Sequence, residues 1–217
     1  MKNIIFVFVL CLLIQGCATT STLKFDPQAL DGQEEISKDG VEAVVSQKKA
    51  RVTIQPSAGT YTSRDRPAIV VSVYDSEEPF NFSPEDIQVF VDGNPHRIVP
   101  YDELVAEIKK REKSALKDLE MENDDRMRGA GGSAENVRYV EIQYQRDVEA
   151  VKTETRKSIR ALDATMLKET TVSPGNEYSG QVTLDDIPNP SQPHEIKVIV
   201  TVAGEEHEFL LNHVRVQ

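Results

Sequence analysis

Residues 137–166 read VRYVEIQYQRDVEAVKTETRKSIRALDATM, and their periodicity decides the fold class. Val137, Val140, Tyr144, Val148, Val151, Thr155, Ile159, Leu162 and Met166 recur at spacings of three, four and four. That eleven-residue repeat lies close to the natural pitch of a straight α-helix, so it predicts one long amphipathic helix. The stretch belongs to a segment, Asp102 to Leu167, that has no proline and is rich in Glu, Lys, Arg and Ala. Upstream, Leu104, Ile108, Ala115 and Leu119 offer a second stripe, which Glu112 interrupts and which fades among Glu120 to Asp125. Gly129-Ala130-Gly131-Gly132 separates the two. The expectation is an antiparallel helical hairpin over 102–169, of coiled-coil character, with helices of about 27 and 34 residues and roughly 40 to 50 Å long.

On both sides the period changes from about 3.6 to 2. Val52 and Ile54 alternate with Arg51 and Thr53, and Ile69, Val71 and Val73 share one face. Ile87, Val89 and Val91 lead into Asp92-Gly93-Asn94, a tight-turn signal, and the chain returns through Arg97 to Val99. After residue 170, Thr170 to Val172 precedes Pro174-Gly175-Asn176, and Tyr178 to Leu184 precedes the prolines at 188, 190 and 193. Ile196 to Val202 and His207 to Val216 then flank Ala203-Gly204-Glu205-Glu206 as a last hairpin. Seven or eight short strands punctuated by Gly and Pro predict a mainly β protein, an immunoglobulin-like β-sandwich formed by 41–101 and 170–217 and interrupted by the helical hairpin.

The hairpin is longer than a small sandwich is wide, so part of it should project. Either the two helices cover each other, or a second copy or a partner protein completes the bundle. The apolar stripe of the second helix outruns that of the first, which singles out Val137, Val140 and Tyr144 as undercovered contact residues. The ends near Tyr101 and Thr170 should lie close together, so replacing Asp102 to Lys168 with a short linker should leave a folded β domain.

The N-terminus carries a different signal. Met1-Lys2-Asn3 supplies a positive charge, and Ile4 to Ile14 is an apolar run followed by Gln15-Gly16-Cys17. Eleven residues of helix reach only about 17 Å, short of the roughly 30 Å of a bilayer's hydrocarbon, which indicates a signal peptide over 1–16 rather than a spanning helix. The tetrad Ile14-Gln15-Gly16-Cys17 resembles the lipobox of bacterial lipoproteins. That resemblance implies cleavage after Gly16 and acylation (diacylglycerol and palmitate-type chains) of Cys17, and Ala18 in place of Asp favours the outer membrane, on its periplasmic side. Residues 17–40, with Pro27, Gly32 and Gly40, read as the lipidated N-terminus and a flexible tether spanning roughly 25 to 30 Å. The alternative there is an edge strand at Leu23 to Phe25.

Cys11 leaves with the signal, so Cys17 is the sole cysteine of the mature chain and no internal disulfide forms. The formal charge of −11 becomes −12 once Lys2 is removed, which argues against nucleic acid as a partner.

Catalytic and metal-ligating patterns are weak. His207 and His213 share a strand face but stand roughly 20 Å apart, too far to hold one ion. His96 and His194 sit beside prolines in turns and read as exposed. Ser173 and Ser179 lack a nucleophile-elbow frame, and Glu77-Glu78 and Asp185-Asp186 lack the ladder of a calcium loop. Gly180, within a strand, marks a bulge or a close backbone approach. No cofactor or metal is expected. The functional expectation is a non-enzymatic, lipid-anchored envelope protein acting by contact, with an envelope ligand-binding module using a sandwich-edge groove as the alternative and a hydrolase as the least favoured reading.

Overall fold

The computed structural model describes residues 21–38, 40–75, 77–129, 131 and 133–216. It holds the expected class, a mainly β sandwich interrupted by a long antiparallel helical hairpin. One sheet has the order β5-β1-β13-β12-β8-β9, where β1 is Thr22–Gln28, β5 Tyr61–Thr62, β8 Ile87–Val91, β9 Asn94–His96, β12 His194–Val202 and β13 Glu205–Arg215. The other has the order β11-β6-β4-β3-β2, with β2 Gln33–Lys38, β3 Val41–Gln47, β4 Arg51–Pro56, β6 Ala68–Tyr74 and β11 Glu177–Thr183. A small third sheet pairs β7 (Phe80–Phe82) with β10 (Thr170–Val172).

Alternation explains which side chains lie between the sheets. Ile69, Val71 and Val73 of β6 and Val52 and Ile54 of β4 are buried, and so are Ile196, Val198, Val200, Phe209 and Leu211 from the opposite sheet. Both anticipated tight hairpins are present. Asp92 and Gly93 have φ of 50° and 77° between the paired Val91 and Asn94, and Ala203 and Gly204 have 50° and 77° between Val202 and Glu205. Positive φ at both central residues gives the twist that two-residue hairpins require.

The segment 17–40 departs from the tether expectation. Residues 22–38 belong to the sandwich: β1 pairs with β13 from Leu23↔Arg215 to Gln28↔Leu210, and β2 pairs with β3. Leu23 and Phe25 are buried, and the alternation of β1 places Lys24, Asp26 and Gln28 on the other face. Two large apolar groups, each worth about 1.5–3 kcal/mol on burial, hold a strand that composition alone makes look like linker. What is left before the fold is residues 18–20, outside the described residues together with Gly16 and Cys17.

The helices are α1, Tyr101–Gly129, and α2, Ala134–Thr165. Pro100 precedes α1, and Asp102 and Glu103 complement its positive N-terminal end. No proline or glycine ends α2. It stops because the next residues are recruited by the sheet: Met166 turns extended, with φ −65° and ψ 140°, and Leu167 N–H donates to Gln181 O at 2.9 Å instead of to a helical carbonyl. Among the described residues no helix is long and apolar enough to cross a membrane.

Candidate functional site

The arm stands on β11 and its continuation. Val99 N–H donates to Thr183 O and Leu167 N–H to Gln181 O, each at 2.9 Å, so the two feet sit two residues apart along one strand. Val99, Leu104 and Met166 form a small buried cluster there, flanked by Tyr101 and Leu162. Leu167 goes further and joins the main core of the sandwich. Gly180 makes room for it: a Cβ at position 180 would lie 2.5 Å from Leu167 Cα. This is the close backbone approach that a glycine inside a strand suggests.

Charge fixes the root from outside. Arg97 grips both oxygens of Glu103, Nη1 to Oε2 at 2.6 Å and Nη2 to Oε1 at 2.9 Å, and its Nε donates to Asp185 Oδ2 at 3.1 Å. Arg66 Nη2 donates to Glu107 Oε1 at 2.6 Å. The Arg97 hydrogen bond holds the Glu103 carboxyl below its ordinary range. Burial pushes Asp185 up, but Arg97 and the Asp186 N–H outweigh it and leave this carboxyl lowered too. On the other foot, Tyr178 Oη accepts from Lys168 N–H and donates to Lys168 O, both at 2.9 Å. A cavity of about 470 Å³ opens beside the root, lined mainly by Ile98, Val99, Pro100, Tyr101, Met166 and Leu167.

Beyond the root the helices pack chiefly along each other, and the ion pairs of Glu103 and Glu107 and the Leu104–Met166 cluster join them to the sandwich at the base. Arg126 Nη1 and Asp147 Oδ2, 3.6 Å apart, tie them near the tip. The stripe of α1 does not fade after Leu119. Asn123 and Met127 continue it as half-buried residues, and the Asn123 Oδ1 is buried with no hydrogen-bond partner among the described residues. Even so, Leu104 is the single buried residue of α1, and no described residue of α2 is buried.

Val137, Val140 and Tyr144 are half-buried and lie on the α2 face shared by Val151 and Thr155, which line the seam between the helices. The most exposed large apolar side chains among the described residues are elsewhere, Tyr139 at 64% and Ile142 at 42% on the opposite face of α2, and Met121 at 60% on α1. Sequence reasoning passed over Tyr139 and Ile142 because they lie outside the repeat. Their spacing of three was the signal available.

The histidines are dispersed. His207 is fully buried, with Nδ1 3.0 Å from Ser46 Oγ and Nε2 unpartnered among the described residues, a hydroxyl–imidazole pair sealed between the sheets. His213, also fully buried, stacks on its register partner His194 at 5.7 Å and meets Phe25 and Tyr61 edge-on or tilted. His194 and His96 are half-buried rather than exposed, because His194 Nδ1 meets Asp92 Oδ2 at 2.7 Å and His96 Nε2 meets Asp185 O at 3.0 Å. Among the described residues no group of three or more His, Cys, Asp and Glu side chains converges on a point.

No protein-family model, curated protein or solved structure matches the chain. The functional reading therefore rests on the chain's own residues and geometry.

Proposed function

We propose that this chain is a lipid-anchored cell-envelope protein, non-enzymatic, that acts by protein–protein contact through its helical arm. The observation that carries the reading is the arm's construction. Its helices, of 29 and 32 residues, extend about 43 and 48 Å, are tied to the sandwich by ion pairs and a small apolar cluster at the base, pack chiefly on each other, and leave the second helix without a buried residue. A two-helix shaft of that kind is incompletely covered, and a third helix from a partner or a second copy would complete it. The lipobox-like tetrad at Ile14 to Cys17 supports attachment to a membrane, the outer membrane on its periplasmic side by the Ala18 argument.

Val137, Val140 and Tyr144 also hold α1 in place, so changing them disturbs the arm itself. Tyr139 and Ile142 are the cleaner probes. A photo-crosslinking residue at position 139 in living cells is expected to capture a protein, and Tyr139→Glu with Ile142→Lys is expected to prevent pull-down of that protein without lowering the melting temperature. Absence of adducts from positions 139, 142 and 121 alike would refute contact through the arm.

A second reading, a module for a small apolar envelope ligand, is favoured by the cavity at the root. It lies beside the edge of β11 on which the arm stands and has the size and lining of a small-molecule site. An environment-sensitive apolar dye is expected to bind there and to be excluded by Val99→Trp if that reading holds.

A further inference from the structure

The corner where the described chain begins is clamped. Ser63 N–H donates to Ser21 O at 2.9 Å, and Ser21 N–H donates to Ser63 Oγ at 3.2 Å. From Cys17 to Ser21 there are only four peptide steps, at most about 14 Å of extended chain. On the lipid-anchored reading, an acyl group on Cys17 therefore holds the Ser21 corner at the headgroup layer. Electrostatic attraction to a bilayer fades over a Debye length of about 8 to 10 Å, so only groups near this corner feel it.

What stands there is basic, in a chain whose formal charge is −11. Arg64 follows Ser63, and from it a groove of about 430 Å³ opens toward α1, lined by Arg64, Arg66, Lys110 and Arg111 with Glu107 and Asp186. Glu107 is engaged by Arg66, and Asp65 turns back to Thr62, its Oδ2 accepting from the Thr62 hydroxyl at 2.7 Å. Asp186 is left facing Arg64, Lys110 and Arg111, all exposed and in no ion pair among the described residues. Past the groove, Lys113 and Lys117 continue the Lys110 face of the helix at spacings of three and four, carrying exposed positive charge about 10 Å further. The sign then reverses at Asp118, Glu120, Glu122, Asp124 and Asp125.

We infer that this groove and the Lys110–Lys117 stripe form a docking surface for the anionic headgroups of the bilayer that carries the acyl anchor. The sandwich lies against the membrane on this side, and the acidic outer half of α1 is repelled from it. One anchor alone lets a domain swivel. A cationic surface within a Debye length of the headgroups fixes its orientation and sets the direction in which the arm leaves the membrane.

The inference rests on the lipid-anchored reading, and the experiment separates the two. The mature chain, residues 17–217, contains every described strand and helix. Made with Cys17→Ser and without acyl groups, it is sedimented with phosphatidylcholine vesicles with and without phosphatidylglycerol. Binding is expected only where phosphatidylglycerol is present, weakening as salt is added. Arg64→Glu with Lys110→Glu and Arg111→Glu is expected to reduce it by at least on the order of a hundredfold, at roughly fivefold per basic residue removed and more from the added repulsion. Lys152→Glu with Lys157→Glu and Arg160→Glu on α2, the same change in net charge, is expected to have a much smaller effect. Melting curves accompany both variants, and Gln in place of Glu at 64, 110 and 111 serves if the charge reversal does not fold. Equal losses from the two triple changes, or binding indifferent to phosphatidylglycerol, would overturn the docking surface. The mass of the native chain from cells reads the anchor independently. An unacylated Cys17 overturns the anchor and, with it, the placement of this face on the bilayer.

Discussion

Gly180 is a single position at which strand and arm constrain each other. In an ordinary strand, replacing glycine with alanine restricts the unfolded chain and tends to stabilise. Here the added Cβ would meet Leu167 backbone at 2.5 Å, and backbone cannot swing aside as a long side chain can. Gly180→Ala is expected to destabilise by about 1–3 kcal/mol, as overpacking does, with a lower denaturant midpoint as the readout; an unchanged midpoint would show that the foot of the arm yields freely. The glycine was legible in the sequence as a bulge or a close approach, but its neighbour was not, because Leu167 lies outside the strand, thirteen residues away. The buried histidines give a second residue-scale test. Burial, then the charge on His194, pulls His213 from 6.5 down to about 4, and burial and Lys48 lower His207 as well. The unfolded chain takes up those protons near pH 6.5, so stability falls as the pH drops from about 6.5 to 4. His194 has the opposite sign: burial lowers it, but the hydrogen bond to Asp92 and its neighbours prevail and leave it raised, a contribution complete below 6.5 and lost as the pH rises past its folded value. With two lowered imidazoles against one raised, the melting temperature is expected to decline toward pH 4, and His213→Leu to flatten that decline. A parallel decline in the variant would place the acid sensitivity elsewhere.

At the scale of elements, what could be read depended on how many turns or pleats repeat a pattern. The period of α2 runs over some thirty residues and left little choice. The seven residues of β1 show just Leu23, Phe25 and Pro27 in alternation, too short a run to distinguish a strand from a tether. Its assignment comes from pairing with β13, a contact nearly two hundred residues away in sequence that local pattern does not contain. Phe25→Ala is therefore expected to cost about 3–5 kcal/mol, the loss of a buried ring that packs 5.5 Å from Tyr61 and 5.8 Å from His213. A tether residue would cost nothing, so calorimetry on this one variant decides between the two descriptions. Because Leu167 belongs to the main core, the arm is expected to be separable at a different place from that implied by its composition. Excising Asp102 to Lys168 removes Leu167 from the main core and is expected to lower stability by about 2–5 kcal/mol, as a core leucine does. Replacing Lys109 to Ser158 with a short Gly/Ser linker keeps the root cluster, and it is expected to abolish most of the helical circular dichroism while the sandwich still melts cooperatively. Loss of cooperativity in the shorter excision would mean that the shaft, and not only its root, stabilises the sheets.

For the whole molecule, net charge was legible from composition, whereas its distribution was not. Arg64 and Lys110 are 46 residues apart and become neighbours only because β5 pairs with β1 beside the base of the arm. On the proposed lipid-anchored reading, the same pairing changes the geometry at the membrane. A flexible tether of some 23 residues would hold the sandwich clear of the headgroups at a variable height; with β1 starting at Thr22, an acyl anchor on Cys17 would leave at most about 14 Å of slack. A stiff arm, gripped at its base by Arg97, Glu103 and Asp185, would then convert the proposed orientation at the surface into a defined position of its tip some 40 to 50 Å away. If contact depends on that position, slack should weaken it without touching the fold. Inserting about 20 Gly/Ser residues between Thr20 and Ser21 adds a random span of roughly 25 Å. The melting temperature is expected to be unchanged, since nothing from Ser21 onward is altered, while crosslinking from position 139 is expected to fall several-fold. Undiminished crosslinking through the longer tether would show that the partner follows the arm and that its height above the membrane carries no information.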